Sequence, residues 1–340
     1  MPPVGFAVVG LGTLATTAIL PAFRGMQRAK LVALVSRDIE KARRLASEHE
    51  VPSAYDSLDE CLANPQVEAV YIATPPGKHL REVESAALAK RHVLCEKPLA
   101  NTATEAAEMV AICARQSVLL MTAYRKCFEP STVFIRNLIL SGRLGALKIL
   151  HTSFSERHAR PQISPPWILN PRLAGGGPLM DLGIYCVHAA RWLAGEPPSR
   201  VSAFQWTHDP STFREVEEGI AFSMYFPSGL VAQASTCYSA ALSSMLYLEG
   251  TCGSVSLTPA FPYEHERVLS GRVGDEKIQK TFPVVDEFRP QIEAFSLAIR
   301  GGPLPPSCGA DGYIDMAIIE ALYRSATTGV PEPVKVIPSF

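Results

Sequence analysis

Short apolar runs alternating with amphipathic helical stretches fill the first 125 residues, and this alternation restricts the possible folds more than any other feature of the chain. VGFAVVG (Val4–Gly10), LVALVS (Leu31–Ser36), VEAVYIAT (Val67–Thr74), HVLCEK (His92–Lys97) and VLLMTAY (Val118–Tyr124) read as strands. Their near-continuous apolar character suits parallel strands covered on both faces. Between them Asp38–Glu50, Lys78–Lys90 and Thr102–Gln116 carry helical patterns. Strands and helices in strict alternation imply βαβ units, and therefore a doubly wound parallel sheet.

After Arg125 the texture changes. A helix over Pro130–Ser141 leads to ALKILHTSFSE, then to a proline-rich loop, then to LAGGGPLMDLGIYCVH (Leu173–His188), where a glycine run opens a helix. From Gly219 to Thr258 the runs IAFSMYF, LVAQASTCYS, MLYLEG and GSVSL succeed one another without helices between them, which predicts an antiparallel or mixed open sheet. Helical stretches over Glu287–Arg300 and Asp311–Thr327 close the chain. A length of 340 residues accommodates two domains. The expected architecture is α/β: a doubly wound N-terminal domain over 1–125, and a second α/β domain over 126–340 with an open, largely antiparallel sheet.

A net charge of −1 and the absence of any Lys/Arg block argue against nucleic acid or an anionic membrane as partner. The N-terminus has no basic segment or cleavage site ahead of the first strand, and its apolar run is too short to span a bilayer, so a cytoplasmic protein is expected. The eight cysteines are scattered without a CxxC pair and read as buried free thiols, not as disulfides or zinc ligands. His151, His158 and His208 lack metal-ligand spacing, so no metal is expected.

GLGTLA (Gly10–Ala15) follows the first strand and fits the G-x-G-x-x-G/A dinucleotide fingerprint. Gly10 permits the tight turn, Gly12 lets a pyrophosphate approach the backbone, and Ala15 keeps helix and strand close, with the phosphate at the helix N-terminus. No G-K-[ST] follows, which excludes a kinase or ATPase loop. The second strand ends at Ser36-Arg37, with Lys41 one helical turn on. A hydroxyl and two cations suit a 2′-phosphate and favour NADP over NAD; Asp38 has the alternative use of capping the next helix. Lys97 ends the strand His92–Lys97, where strand C-termini of such sheets face their ligand, and Pro98 turns the chain there.

Taken together, GLGTLA, VEAVYIATPPGKH, CEKPLA, AYR and AGGGPLMDLGIYCVHAARWLAGEPP resemble the glucose–fructose oxidoreductase/inositol dehydrogenase (Gfo/Idh/MocA) family over nearly the whole length. Tyr185 matches the branches of glucose–fructose oxidoreductase and of dihydrodiol and xylose dehydrogenases. The resemblance implies a Rossmann domain followed by an α/β domain with an open sheet, and NAD(P)-dependent oxidation or reduction of a sugar or polyol. It implies Lys97 as catalytic lysine, Asp181 as the helix carboxylate and Tyr185 as the proton-transfer residue. Gly10, Gly12, Thr13 and Leu14 match the pyrophosphate loop, Ser36, Arg37 and Lys41 the 2′-phosphate pocket, and Thr74, Pro75 and His79 the nicotinamide-side ribose segment. Glu96, Lys97, Arg125, Trp167 and Arg172 complete the set of implied cofactor contacts. Pro76 stands where the family often has Asn, and His188 where many members have a second acid. Glucose–fructose oxidoreductase itself is exported with an N-terminal arm over its cofactor; this chain starts directly at the first strand, so an exchanging cofactor is expected.

Asp181 and Tyr185, four residues apart, are expected on one helix face, with the glycine run letting backbone approach the substrate. Lys97, from the other domain, would stabilise the phenolate with its charge while Asp181 binds a neighbouring hydroxyl. Three functions use these residues: a sugar or polyol dehydrogenase or ketosugar reductase, a sugar–sugar oxidoreductase with tightly held NADP, or a non-catalytic NADP-binding regulator. The 219–258 sheet is expected to form a homodimer or homotetramer, and the Glu156–Asn170 loop to carry sugar specificity.

Overall fold

The computed structural model describes residues 1–157 and 166–336, so His158 and most of the proline-rich part of the Glu156–Asn170 loop lie outside it. Two compact units form. Among the described residues, one contains Met1–Arg125 and Asp286–Tyr313, the other Lys126–Val285 and residues 314–336.

The first unit holds six parallel strands: β1 (Val4–Val9), β2 (Ala29–Val35), β3 (Ser53–Tyr55), β4 (Ala69–Ile72), β5 (His92–Cys95) and β6 (Leu120–Thr122). Their order is β3-β2-β1-β4-β5-β6, the doubly wound arrangement. Every residue of β1 and β4 is buried, as apolar runs covered on both faces require. The three-residue β3 carries no apolar run and was not anticipated. Helices start at side-chain caps: Asp38 accepts from Lys41 N at 3.0 Å, and Thr102 from Glu105 N at 3.1 Å.

The helix Phe288–Ile299 packs in this first unit. Phe295 meets Phe6 of β1 with ring centroids 6.4 Å apart, Gln291 Nε2 donates to Tyr71 Oη at 3.1 Å, and Arg300 forks onto Glu68 at 2.7 and 2.8 Å. A linear division at residue 125 separates this helix from the sheet it covers.

The second unit is built on nine strands: β7 (Leu147–Ser155), β8 (Arg200–Trp206), β9 (Gly219–Tyr225), β10 (Val231–Cys237), β11 (Ser243–Gly250), β12 (Gly253–Thr258), β13 (Arg267–Val273), β14 (Glu276–Phe282) and the two-residue β15 (Glu332–Pro333). The order is β14-β13-β12-β11-β7-β10-β9-β8-β15, antiparallel throughout except for the β7–β10 pair. Burial alternates along β9, β10 and β11, the mark of a sheet with one covered face. The helix Ile184–Ala194 lies on β7 and β10 at the centre of that face. β13 and β14 intersperse lysine, arginine and serine with their few apolar residues, so neither carries an apolar run.

Five of the eight cysteines are buried and unbridged, whereas Cys237 and Cys308 are half-buried and Cys252 is exposed. Among the described residues no helix is long and apolar enough to cross a membrane.

Candidate active site

In the first unit the chain leaves β1 at Gly10 with φ +89°. A Cβ there would stand 2.7 Å from Thr74 Cγ2 and 2.8 Å from the Ala73 carbonyl, so the turn requires glycine. At Gly12 a Cβ would meet nothing within 4 Å, which leaves open space above the loop. Ala15, 1% exposed, is buried and opens a π-turn, Ala15–Ile19. The Thr16 and Thr17 hydroxyls fold back onto the Thr13 carbonyl at 3.0 and 2.9 Å. Thr13, Leu14 and Ala15 occupy the positions whose amides have no acceptor within a helix. The loop is thus an open row of N–H donors at the positive end of a short helix, a geometry suited to a pyrophosphate.

At the end of β2 the ambiguity over Asp38 is resolved. Its carboxylate caps the following helix at Lys41 N, and Ser36 Oγ accepts from its amide at 3.2 Å. Arg37 is left as an exposed charge, with Lys41 half-buried one turn beyond.

His79 is fully buried, with Nε2 2.8 Å from the Thr74 carbonyl and Nδ1 3.1 Å from that of Leu99. Burial pushes its pKa down. Both ring nitrogens face protein, so His79 orders the Thr74–Pro75 segment from beneath and ties it to the loop after Lys97. Thr74 Oγ1 donates to Glu82 at 2.5 Å. Glu96 is buried too: burial raises its pKa, against the pull of Tyr71 Oη, which donates to it at 2.7 Å, and of the Lys97 amide at 3.2 Å. Gln291 donates to Tyr71, and Tyr71 Oη and Lys97 N both donate to Glu96, a continuous hydrogen-bonded support for the lysine. Arg125 is buried in an ion pair with Glu287, its guanidinium 5.8 Å from the Phe288 ring centre.

In the second unit the glycine run is packed against protein. Gly175, at φ +80°, ends the helix Pro171–Ala174. A Cβ at Gly176 would stand 2.1 Å from Tyr323 Oη, and one at Gly177 2.4 Å from the Glu217 carbonyl. The expectation that these glycines admit a substrate therefore gives way, at Gly176 and Gly177, to close internal packing. Glu217 accepts from the amides of Gly177 and Leu179, both at 3.0 Å, and from Tyr323 Oη at 2.9 Å.

Asp181 lies in the π-turn Leu179–Gly183, which runs into the helix Ile184–Ala194 carrying Tyr185. Such turns concentrate at functional sites. The cap position is Pro178, without a side-chain bond, so Asp181 does not serve as a helix cap. Its Oδ2 accepts from Tyr238 Oη at 3.1 Å. Burial, and then the Asp181 charge, push the Tyr238 pKa well above the ordinary range, so its hydroxyl stays a donor. Tyr185 is half-buried and its ring is set by Phe154 and Phe261, with centroids 5.7 and 5.8 Å away. His188, which stands where the family pattern suggested an acid, is instead buried on Asp315 at 2.9 Å, with Nε2 3.2 Å from Cys127 Sγ. Trp167 is half-buried in the 3₁₀ turn Pro166–Leu169, and exposed Arg172 takes its helix start from Asn170. Among the described residues no group of three or more His, Cys, Asp or Glu is placed to hold a metal ion.

Glu217, Tyr238 and Tyr323 were not singled out from the sequence. Their only local signal is the acidic pair Glu217-Glu218 set directly before a strand.

Residues 4–124 match the Gfo/Idh/MocA oxidoreductase family with an NAD-binding Rossmann fold, and residues 132–256 match a Gfo/Idh/MocA C-terminal domain. The chain belongs to this family. It is 30% identical over 330 residues to D-xylose 1-dehydrogenase (NADP(+)) of Haloarcula marismortui, covering 96% of this chain and 92% of that one. Over 256 residues it is 30% identical to trans-1,2-dihydrobenzene-1,2-diol dehydrogenase of Bos taurus, covering 75% and 72%. The crystal structure of aldose-aldose oxidoreductase from Caulobacter crescentus superposes with a TM-score of 0.91 at 35% identity, covering 97% of this chain and 99% of that one. The Gfo/Idh/MocA fold, with its parallel Rossmann sheet and largely antiparallel second sheet, is as the motifs implied.

Proposed function

We propose that the protein transfers hydride between NADP and a CH–OH carbon of a sugar or polyol. The observation that carries this reading is the open donor loop at Gly12 with exposed Arg37 beyond the next strand, in a chain similar over 96% of its length to an NADP-dependent xylose dehydrogenase. The cradle fits a dinucleotide: space where a Cβ would fill it, helix-end amides for the pyrophosphate, and cations without a capping-free acid for the 2′-phosphate. Gly10, Gly12, Thr13 and Leu14 would hold the pyrophosphate, Ser36, Arg37 and Lys41 the 2′-phosphate, and Thr74 and Pro75 the ribose near the nicotinamide. Bound there, NADP supplies the hydride acceptor for oxidation, or in reduced form the donor for reduction.

The protein's own part is proton handling and orientation. Tyr185, as the phenolate that the Lys97 ammonium would stabilise, takes the proton of the reacting hydroxyl while the carbon gives up its hydride, and returns that proton when the reaction runs as a reduction. Asp181, held by Tyr238, binds an adjacent hydroxyl and so fixes which carbon is presented. The aromatic neighbours of Tyr185 keep the phenol in one orientation. A sugar–sugar oxidoreductase that retains its nucleotide is the second reading, supported by the likeness to aldose-aldose oxidoreductase. A homodimer or homotetramer through the nine-stranded sheet is part of the proposal, since Phe204 of β8 is 71% exposed and Ile149 of β7 is exposed as well. So is a cytoplasmic location.

The test is turnover of NADP, and separately NAD, with aldoses, inositols and dihydrodiols, and of NADPH with ketosugars, alongside analysis of any copurifying nucleotide. Preference for NADP that Arg37→Ala abolishes, and loss of most turnover in Tyr185→Phe with NADP binding intact, are the expected results. A fully active Tyr185→Phe rejects the mechanism. Retained, non-exchanging NADP(H) selects the second reading.

A further inference from the structure

The second unit buries a carboxylate that the proposed reaction does not itself use. Glu217, directly ahead of β9, has both oxygens engaged: Oε2 accepts from Gly177 N, and Oε1 from Leu179 N and Tyr323 Oη. Gly177 and Leu179 flank Pro178, which has no N–H, so this one side chain takes the two backbone donors that open the π-turn. A negative charge also suits that end of a helix. Asp181 is two residues beyond Leu179, and Tyr185 one turn further.

Steric clearances point to the same two side chains independently. At Gly177 a Cβ would come within 2.4 Å of the Glu217 carbonyl and 3.0 Å of its carboxyl carbon. At Gly176 it would come within 2.1 Å of Tyr323 Oη. Both glycines are thus shaped around the Glu217–Tyr323 pair, which reaches the segment from 40 and more than 100 residues away in sequence. Burial raises the pKa of Glu217 and of Tyr323, consistent with a dry, pre-set contact.

We infer that Glu217, braced by Tyr323, is a positioning residue: it fixes where the Asp181–Tyr185 helix begins, and so where both side chains meet the substrate. This rests on the hydride-transfer reading above. With its oxygens held by Gly177 N, Leu179 N and Tyr323 Oη, the carboxylate acts through one turn of backbone, where a displacement of an ångström is worth as much as a hundredfold in rate.

The experiment compares full-length wild type, Glu217→Gln, Gly176→Ala and Gly176→Ala/Tyr323→Phe. It reads kcat and KM for the sugar turned over by wild type, NADP affinity by nucleotide fluorescence, and the thermal midpoint. In Glu217→Gln an amide NH2 faces a backbone N–H, so kcat should fall about tenfold to a hundredfold while the NADP Kd stays within about twofold. Gly176→Ala should lose kcat similarly. Adding Tyr323→Phe deletes the atom the new methyl would strike hardest, although ring Cζ stays 2.9 Å away and Glu217 loses its brace, so kcat and midpoint should be restored in part, above those of Gly176→Ala alone. A kcat in Glu217→Gln that falls only with the folded fraction overturns the inference, as does a Gly176→Ala defect indifferent to Tyr323. If wild type turns over no sugar or polyol while the Gly176–Tyr323 coupling persists in the melting data, it is the hydride-transfer reading that fails, and the positioning role with it.

Discussion

Replacing Asp315 by asparagine tests how the helix bearing Tyr185 is anchored on its inner side. Asp315 is fully buried on the helix Gly309–Thr328. Its Oδ1 accepts from Arg191 Nε at 2.5 Å, and its Oδ2 lies 2.9 Å from His188 Nδ1, so it grips two residues of the helix Ile184–Ala194. Asparagine keeps the shape but removes the charge, which takes the Asp315 carboxylate away from the buried Arg191 guanidinium. Breaking one side of such a pair costs about 3–5 kcal/mol. In a unit of this size each kcal/mol moves the midpoint by about 2–4 °C, so a drop of about 6–20 °C is expected at neutral pH. Acid should act on the same contact. Burial raises the Asp315 pKa, but Arg191 and His188 outweigh it and hold the carboxyl at about 2, against 3.8 ordinarily. A depressed acid pKa stabilises the fold above the unfolded value, and that contribution is lost as pH falls through the folded one. Nearly two units correspond to about 2–3 kcal/mol, lost between about pH 4 and about pH 2. The mutational cost exceeds this because substitution also takes an opposite charge from buried Arg191. Thermal melts of wild type and variant by circular dichroism across that range should converge toward the acid end. A variant melting within about 1 °C of wild type at neutral pH would refute the reasoning, since the Arg191 charge would then need no partner here.

Tyr238→Phe removes the donor to Asp181, a bond to a charged group worth about 1.5–3 kcal/mol. Sugar turnover should fall about tenfold to a hundredfold with NADP affinity unchanged, measured by steady-state kinetics and nucleotide titration. Gly10→Ala places a methyl at φ +89° against Thr74 and the Ala73 carbonyl. It should destabilise the first unit by about 2–5 kcal/mol and abolish nucleotide binding, read by denaturant melts and fluorescence titration.

The dinucleotide loop was legible because its constraints are local. Gly10 turns, Gly12 stays open and Ala15 packs, all within six residues that follow a buried strand. The helix starts at Asp38 and Thr102 were legible for the same reason, although only the observed bond to Lys41 N showed that Asp38 spends its carboxylate on capping. The family resemblance grouped His79 and Arg125 with the cofactor contacts; the bonds that hold them, His79 between two backbone carbonyls and Arg125 on Glu287, come from segments far apart in sequence and could be read only from the fold.

What the sequence by itself determined was the succession of parallel strands and helices, the glycine turn, and the presence of Lys97, Asp181 and Tyr185 in motifs of a known kind. These follow from backbone geometry and side-chain periodicity within a turn or two. Only the tertiary structure decided that Phe288–Ile299 covers the first sheet, that Tyr238 serves Asp181, and that the glycine run is shaped by Glu217 and Tyr323. Those choices arise when folding withdraws polar groups from water: each buried donor or acceptor must then find a partner, and the partner is set by which distant segments the sheets bring together.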